Sequence, residues 1–401
     1  MTGGIQSAER NIALVLSGGG AYGAYEVGVM KALFSGESPA SAGKALNSQI
    51  FTGTSVGAFN AAAMTMHPGA DNQAAIERLE TAWLNDVAYH AKNGGNGVYR
   101  IRGNPLQYLD PTYLGKNPVE VLERMGSDTV YLVRDWARRL MWFSTSSASL
   151  VHRTMELVDL SSFISVDPFE QMLKRVVDME GIRSSEKILR IVATNWESGD
   201  LHVFSNSDME GARGRSIIMA SAAIPGIFPP VLLGADLYVD GGVVMNTPLQ
   251  CALDAGAHEM HVIYMDPDVC NIPLGRLQDT ADTFDRMYTV MLATKISEDI
   301  ATTDWINRGL DVAERAAAGG NLTQGDERDF LRVAGQIYRG IQQGLPFRKI
   351  TIHRYHPCED LGGTMGMLNF KQDAIRALID RGRKDAQTHD CATSGCLLPN
   401  K

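Results

Sequence analysis

Within its first 66 residues the chain twice runs from a short apolar stretch into a glycine-bearing turn and on into small and apolar residues. Few arrangements accommodate that order. Asn11-Ile-Ala-Leu-Val-Leu-Ser17 is apolar without alternation, the pattern of a strand buried on both faces. Gly18-Gly-Gly-Ala-Tyr-Gly23 follows it, and Tyr22 to Phe34 reads as a helix stopped at Ser35-Gly36. Ser48-Gln-Ile-Phe-Thr52, the turn Gly53-Thr-Ser-Val-Gly57 and a helix from Ala58 to Met66, stopped near Pro68-Gly69, repeat the order. Two such units in succession predict neighbouring parallel strands with both turns at their carboxyl ends, where open α/β sheets hold ligands.

Residues 70–186 read as a mostly helical insertion, with Asn117-Pro118 and Asp167-Pro168 marking helix starts. Lys187 to Thr194 and Asp200 to Ser205 predict a hairpin around Glu197-Ser-Gly199, and Val231 to Leu233 and Leu237 to Val239 flank the turn Gly234-Ala-Asp236. Ser216 to Ala223 has room for one or two helical turns. A helix over Pro248 to Ala255 and strands at His261 to Met265 and Lys349 to Tyr355 resume the α/β rhythm, with Lys371 to Arg383 a helix beside the last strand. Residues 275–343 read as helices. No repeat or low-complexity linker divides the chain, so strands from both ends are expected in one sheet. The domain reading is a catalytic core over 10–265 that includes the insertion, a mostly helical region over 266–386 completing the same domain, and a loose tail over 387–401.

A chain of 401 residues, 44% apolar and 21% charged, can bury a sizeable core. Thirty-seven basic against 46 acidic side chains give a formal charge of −9, which repels phosphate polymers and argues against a nucleic-acid partner. The five cysteines, Cys251, Cys270, Cys358, Cys391 and Cys396, are odd in number and scattered, which fits a reduced compartment, by default the cytoplasm. The amino terminus lacks the basic start and apolar stretch of a secretory signal, and no apolar run reaches the roughly eighteen residues of a membrane span. Cys391 and Cys396 lack a second ligand pair nearby, so no metal is assigned.

Gly53-Thr-Ser55-Val-Gly57 fits G-x-S-x-G, in which a serine on a cramped strand-to-helix turn has its hydroxyl exposed. Gly18 to Gly23 also fits the dinucleotide pattern G-x-G-x-x-G, but the acidic residue due about twenty positions later is missing from Ser41-Ala-Gly-Lys-Ala-Leu-Asn47. Backbone N–H groups of Gly18, Gly19 and Gly20 suit an oxyanion better, where losing one donor typically costs about 3 kcal/mol of transition-state stabilisation. Serine needs a base, and none of the nine histidines has a context that makes it the partner. Asp240, at a strand end before Gly241 and Gly242, is the better candidate, although Asp-Gly is also an ordinary turn.

These two glycine turns, together with Ser221-Ala-Ala-Ile-Pro-Gly-Ile-Phe-Pro-Pro230 and Asp240-Gly-Gly-Val-Val-Met-Asn-Thr-Pro248, resemble in order the motifs of the patatin-like phospholipases. The resemblance covers about residues 10–265, with a weaker echo from Met367 to Ala386. It implies a three-layer α/β/α sandwich around a mostly parallel central sheet, here with a helical insertion and a helical C-terminal region. It also implies a Ser55–Asp240 dyad that hydrolyses lipid acyl esters through an acyl-serine. Gly18 to Gly20 form the oxyanion hole in that scheme, Gly23, Gly53, Gly57, Gly241 and Gly242 support the turns, and neither metal nor cofactor takes part. Tyr22 stands where members commonly carry Lys or Arg, which removes a fixed positive charge near the oxyanion. Two other readings use the same residues: a regulatory protein holding phosphate or nucleotide at the glycine loop, and an acyltransferase.

Tyr131 to Phe143 is amphipathic at 100° per residue. Leu132, Val133, Trp136, Ala137, Leu140 and Phe143 share one face, Arg134, Asp135, Arg138 and Arg139 the other, and Trp142 falls among the arginines. Such a helix either covers the core or meets a lipid surface, with Trp136, Trp142, Arg138 and Arg139 in contact.

Overall fold

The structure is a computed structural model, and it describes residues 11–66, 71–90, 95–103, 115, 118–145, 163–265, 300–312, 315, 323–326, 349–359 and 361–399. Cys270, the stop at Pro68-Gly69, the Trp142 side chain and most of the 275–343 reading lie outside the described residues.

The central sheet joins β1 (Ile12–Leu16), β2 (Ile50–Thr54), β5 (Ile188–Asn195), β6 (Leu201–Ser205), β7 (Val231–Leu233), β8 (Asp236–Asp240), β9 (Glu259–Ile263) and β10 (Thr351–Tyr355). A separate two-stranded sheet pairs β3 (Arg100–Ile101) with β4 (Ile164–Ser165). In the central sheet the order is β10-β9-β1-β2-β5-β8-β7, with β6 also on β5. The strands from β10 to β5 are parallel, whereas β6, β7 and β8 run antiparallel. Both ends of the chain thus meet in one sheet, and both expected hairpins form.

β1 shows why this is a three-layer sandwich. Leu14 and Leu16 point into one apolar core and Ala13 and Val15 into another, the alternation of a strand covered on both faces. The first core packs under α1 (Gly23–Phe34), α2 (Val56–Thr65), α3 (Asn72–Ala82), α5 (Asp167–Val176), α6 (Met179–Arg183), α7 (Gly211–Ser221) and α10 (Gln372–Gln387). The second lies under α8 (Leu249–Asp254) and the helical stretch 300–312. α9 (Gly363–Met367) precedes α10, and α4 (Pro118–Thr145) belongs to the insertion.

Three details differ from expectation. α10 packs on α1: a Cβ on Gly28 would stand 2.0 Å from the Ile379 carbonyl oxygen, and one on Gly382 2.1 Å from that of Tyr25. The tail is held, since Ile352 and Leu397 exchange two backbone hydrogen bonds of 2.8 Å. α4 turns a polar edge inward. Asp128 and Asp135 are buried, the first by a two-bond pair with Arg100 (2.7 and 2.8 Å) and the second by Arg138 (2.5 Å) and Arg139 (2.6 Å). Val133, Trp136 and Leu140 are left 64%, 48% and 51% exposed. Among the described residues, no helix is long and apolar enough to cross a membrane.

Candidate functional site

Strand register brings Ser55 and Asp240 to one level. Thr54 pairs with Val192 on one side of β5, and Ala193 pairs with Asp240 on the other. The residue after Thr54 and the last residue of β8 therefore face each other across β5, two strand spacings or about 10 Å apart along the backbone. Side chains can span that gap.

Ser55 caps α2 with φ 55° and ψ −122°, a conformation that crowds any Cβ. The flanking glycines make the turn possible: a Cβ on Gly53 would stand 2.2 Å from the Gly57 carbonyl oxygen, and one on Gly57 2.4 Å from that of Leu16. The strained backbone is held from outside, because the Ser55 N–H donates to Ser221 Oγ (2.9 Å), whose hydroxyl donates to the Val192 carbonyl (2.7 Å).

Asp240 is fixed as firmly. Its N–H donates to Ala223 O (2.9 Å), and its carbonyl accepts from Thr194 Oγ1 (3.0 Å). Oδ1 accepts the Gly242 N–H at 2.7 Å. Oδ2 is buried and has no hydrogen-bond partner among the described residues. Burial pushes the carboxyl up to about 7, against the Gly242 N–H bond and then the nearby Ser55 hydroxyl, which both favour the ionised form. A buried acid held level with a serine on a strained turn, with one oxygen unpartnered, has the chemistry of a base.

The glycine loop lies against the same serine, since a Cβ on Gly18 would stand 3.1 Å from Ser55 Cβ. The Gly18 N–H, expected among the free donors, is already engaged by Asn246, through its backbone oxygen at 3.2 Å and its Oδ1 at 3.1 Å. Gly19 and Gly20 head the short turn Gly20–Tyr22, whose first amides find no acceptor inside it. Tyr22 is buried, and its hydroxyl donates to the Gly363 carbonyl at 2.6 Å. The position without a positive charge thus ties the loop to the C-terminal region.

Ser55 and Gly20 line an apolar pocket together with Phe59, Trp83, Phe169, Phe228 and Phe370, among others. Met367 and Leu368 close one side, and Tyr99 anchors that wall through its hydroxyl to Leu368 O (3.1 Å). Beneath the loop, Asn60 donates to Gly23 O (3.0 Å) and to the buried Glu26 (2.7 Å), and accepts from Trp83 Nε1 (2.8 Å). Burial raises the Glu26 carboxyl well above the ordinary range, against the hydrogen bond from Asn60.

Ser221, Asn246, Glu26 and the 361–370 wall were not singled out from sequence for these roles. The first two lie inside motifs quoted above, so a search for polar residues within those motifs was the available signal. Glu26 inside an otherwise small and apolar helix was another.

A family model described as patatin-like phospholipase matches residues 14–253. Calcium-independent phospholipase A2-gamma from mouse is 37% identical over 86 residues, 21% of this chain and 11% of that protein. The human protein of that name is 36% identical over 84 residues, again 21% of this chain and 10% of that one. The match thus spans about a tenth of the length of these curated relatives. Among solved structures, VipD from Legionella pneumophila aligns over 95% of this chain and 67% of its own at 15% identity, with a TM-score of 0.33.

Proposed function

The chain belongs to the patatin-like phospholipase family, and from that premise we propose that it is a serine hydrolase of lipid acyl esters, phospholipids or lysophospholipids, with Ser55 as nucleophile and Asp240 as its base. The observation that carries the reading is the buried Asp240 carboxyl, pushed up to about 7 and set level with Ser55 across β5, with Ser55 itself among the residues lining an apolar pocket.

In this scheme the acyl chain enters among Phe59, Phe169 and Phe228, placing the ester carbonyl over Ser55. Oγ attacks the carbonyl carbon while its proton passes to Asp240 Oδ2, since Oδ1 is held by Gly242. The negative oxygen of the tetrahedral intermediate accepts from the Gly19 and Gly20 amides. As the intermediate collapses, the carbon–oxygen bond to the leaving alcohol breaks and Asp240 returns the proton to that oxygen. Water then attacks the acyl-serine, Asp240 takes its proton, and Ser55 leaves with that proton as the fatty acid is released. Two features suit the base to its work: a pKa near neutrality, and the burial of both Ser55 and Asp240 away from bulk water.

The exposed apolar residues of α4 are the part of the surface we assign to contact with the lipid aggregate, with Trp136 at its centre and Arg138 beside it.

The test is direct. Purified protein is expected to release fatty acid from a short-chain ester and from phospholipid vesicles, and to be labelled by a fluorophosphonate. Ser55→Ala is expected to lower turnover at least about a thousandfold and abolish labelling. Turnover that survives Ser55→Ala rules the proposal out.

A further inference from the structure

Away from the pocket, on the edge strand β10, four side chains with metal-binding atoms converge. His353 comes from β10, while His389, Cys391 and Cys396 come from the turns that follow α10. One ligand atom from each lies within 4.8 Å of all the others. Cys391 Sγ is 3.5 Å from His353 Nδ1 and 3.5 Å from His389 Nε2, and Cys396 Sγ is 3.4 Å from His389 Nε2.

Those separations have a geometric meaning. With zinc–sulfur bonds of about 2.3 Å, zinc–nitrogen bonds of about 2.0–2.1 Å and tetrahedral angles, the sulfur-to-nitrogen edge is about 3.6 Å. The three contacts fall within about 0.2 Å of that edge. We propose that His353, His389, Cys391 and Cys396 form a closed Cys2His2 site for zinc, which fastens the C-terminal tail to β10.

The surroundings are built for it. Both histidines are buried. His389 Nδ1 lies 3.4 Å from Ser394 Oγ, which turns Nε2 toward the two sulfurs. The Arg354 N–H donates to Cys396 Sγ at 3.3 Å, a bond that favours a thiolate. Gly395, at φ 63°, lets the chain double back, and the Cys396 N–H closes the loop on Cys391 O at 2.9 Å. The backbone exchange between Ile352 and Leu397 fixes the register just beyond.

Glu259, His261 and His353 form a neighbouring cluster. His261 is already engaged at both ring nitrogens, by Tyr355 Oη at 3.1 Å and by Glu259 at 3.2 Å, so the four-residue set is the one free to take an ion. Two thiolates and two neutral imidazoles suit zinc, whose charge cancels that of the sulfurs once the two thiol protons have left to solvent. Four protein ligands leave no open position, so the ion is structural and independent of Ser55 and Asp240.

The experiment uses the full chain, purified with reductant and without chelator, then titrated with zinc and measured by elemental analysis. About one zinc ion per chain is expected to survive dialysis. The double variant Cys391→Ser, Cys396→Ser is expected to hold at least tenfold less, and Cys358→Ser, an exposed cysteine outside the cluster, to hold as much as the parent. Because the double variant could unfold, the unmodified chain is also loaded with cobalt, expected to give the intense visible absorption of a tetrahedral ion with thiolate ligands. Any of three results overturns the proposal: a reduced, folded chain that takes up neither metal, a weak octahedral cobalt spectrum, or undiminished zinc in a folded double variant.

Discussion

At Asp240, activity and stability make opposite demands. A carboxyl buried with one oxygen short of a partner is pushed up to about 7, whereas the same group in the unfolded chain titrates near the ordinary aspartate value of 3.8. Between about pH 4 and 7 the unfolded state is ionised and the native state keeps the proton. The native chain then binds more protons, so this group's contribution to stability falls as pH rises through that window and levels off above it. The size of the effect is on the order of 4 kcal/mol. Two outcomes follow from one residue. The pH profile of kcat/KM is expected to rise through about 7 and then level, because the base works only when ionised. Asp240→Asn, which keeps the shape and removes the charge, is expected to melt at higher temperature than the parent at pH 8 while losing turnover. A variant less stable than the parent at pH 8 contradicts the burial argument. That Ser55 sits on a strand-to-helix turn and Asp240 at a strand end was legible in the sequence, because their turns carry glycines at fixed offsets. Ser221 and Asn246 were not, since each acts through a bond to a residue more than 160 positions away, Ser221 on the Ser55 amide and Asn246 on Gly18.

Among the elements, the pair α1 and α10 couples the glycine loop to the end of the chain. α1 starts directly after Gly20–Tyr22, and its Gly28 meets the backbone of α10 with no room for a methyl group. Gly28→Ala is expected to lower stability by about 1–3 kcal/mol through overpacking, read as a lower urea midpoint. An unchanged midpoint contradicts so close an approach. The glycine turn and the Ser35-Gly36 stop predicted α1, Lys371 to Arg383 read as the second helix, and the hairpins of β5 with β6 and β7 with β8 followed from turn residues. Which neighbour α10 would choose was not legible, because its partner is fixed by two glycines 354 positions apart, Gly28 and Gly382. The facing of α4 was hidden for a related reason. Its period is plain, but the side turned inward is decided by Arg100, on a strand outside the helix, which compensates Asp128. Periodicity reports that two faces differ, and it takes burial of a paired charge to show which one is covered.

Over the whole molecule, parallel strands gathered from residues 12 to 355 place the two glycine turns at one end of the sheet, an outcome the buried apolar runs had announced. The C-terminal tail was harder to read, since its single cysteine pair gains meaning only when β10 supplies His353 and the chain after α10 supplies His389. The net charge of −9 bears on how such a molecule would meet lipid. Bulk electrostatics oppose an anionic surface, so the proposed contact rests on apolar area on α4, where Val133, Trp136 and Leu140 are all exposed. Burying a Trp or Leu side chain in the acyl boundary is worth about 1.5–3 kcal/mol. Trp136→Ser with Leu140→Ser is therefore expected to weaken binding to zwitterionic phosphatidylcholine vesicles by tenfold or more, with an unchanged melting temperature as the check on folding. For the parent chain, binding measured by sedimentation should vary little between low and high salt, as apolar contact requires. Equal vesicle binding by parent and double variant would remove α4 from the proposed lipid contact.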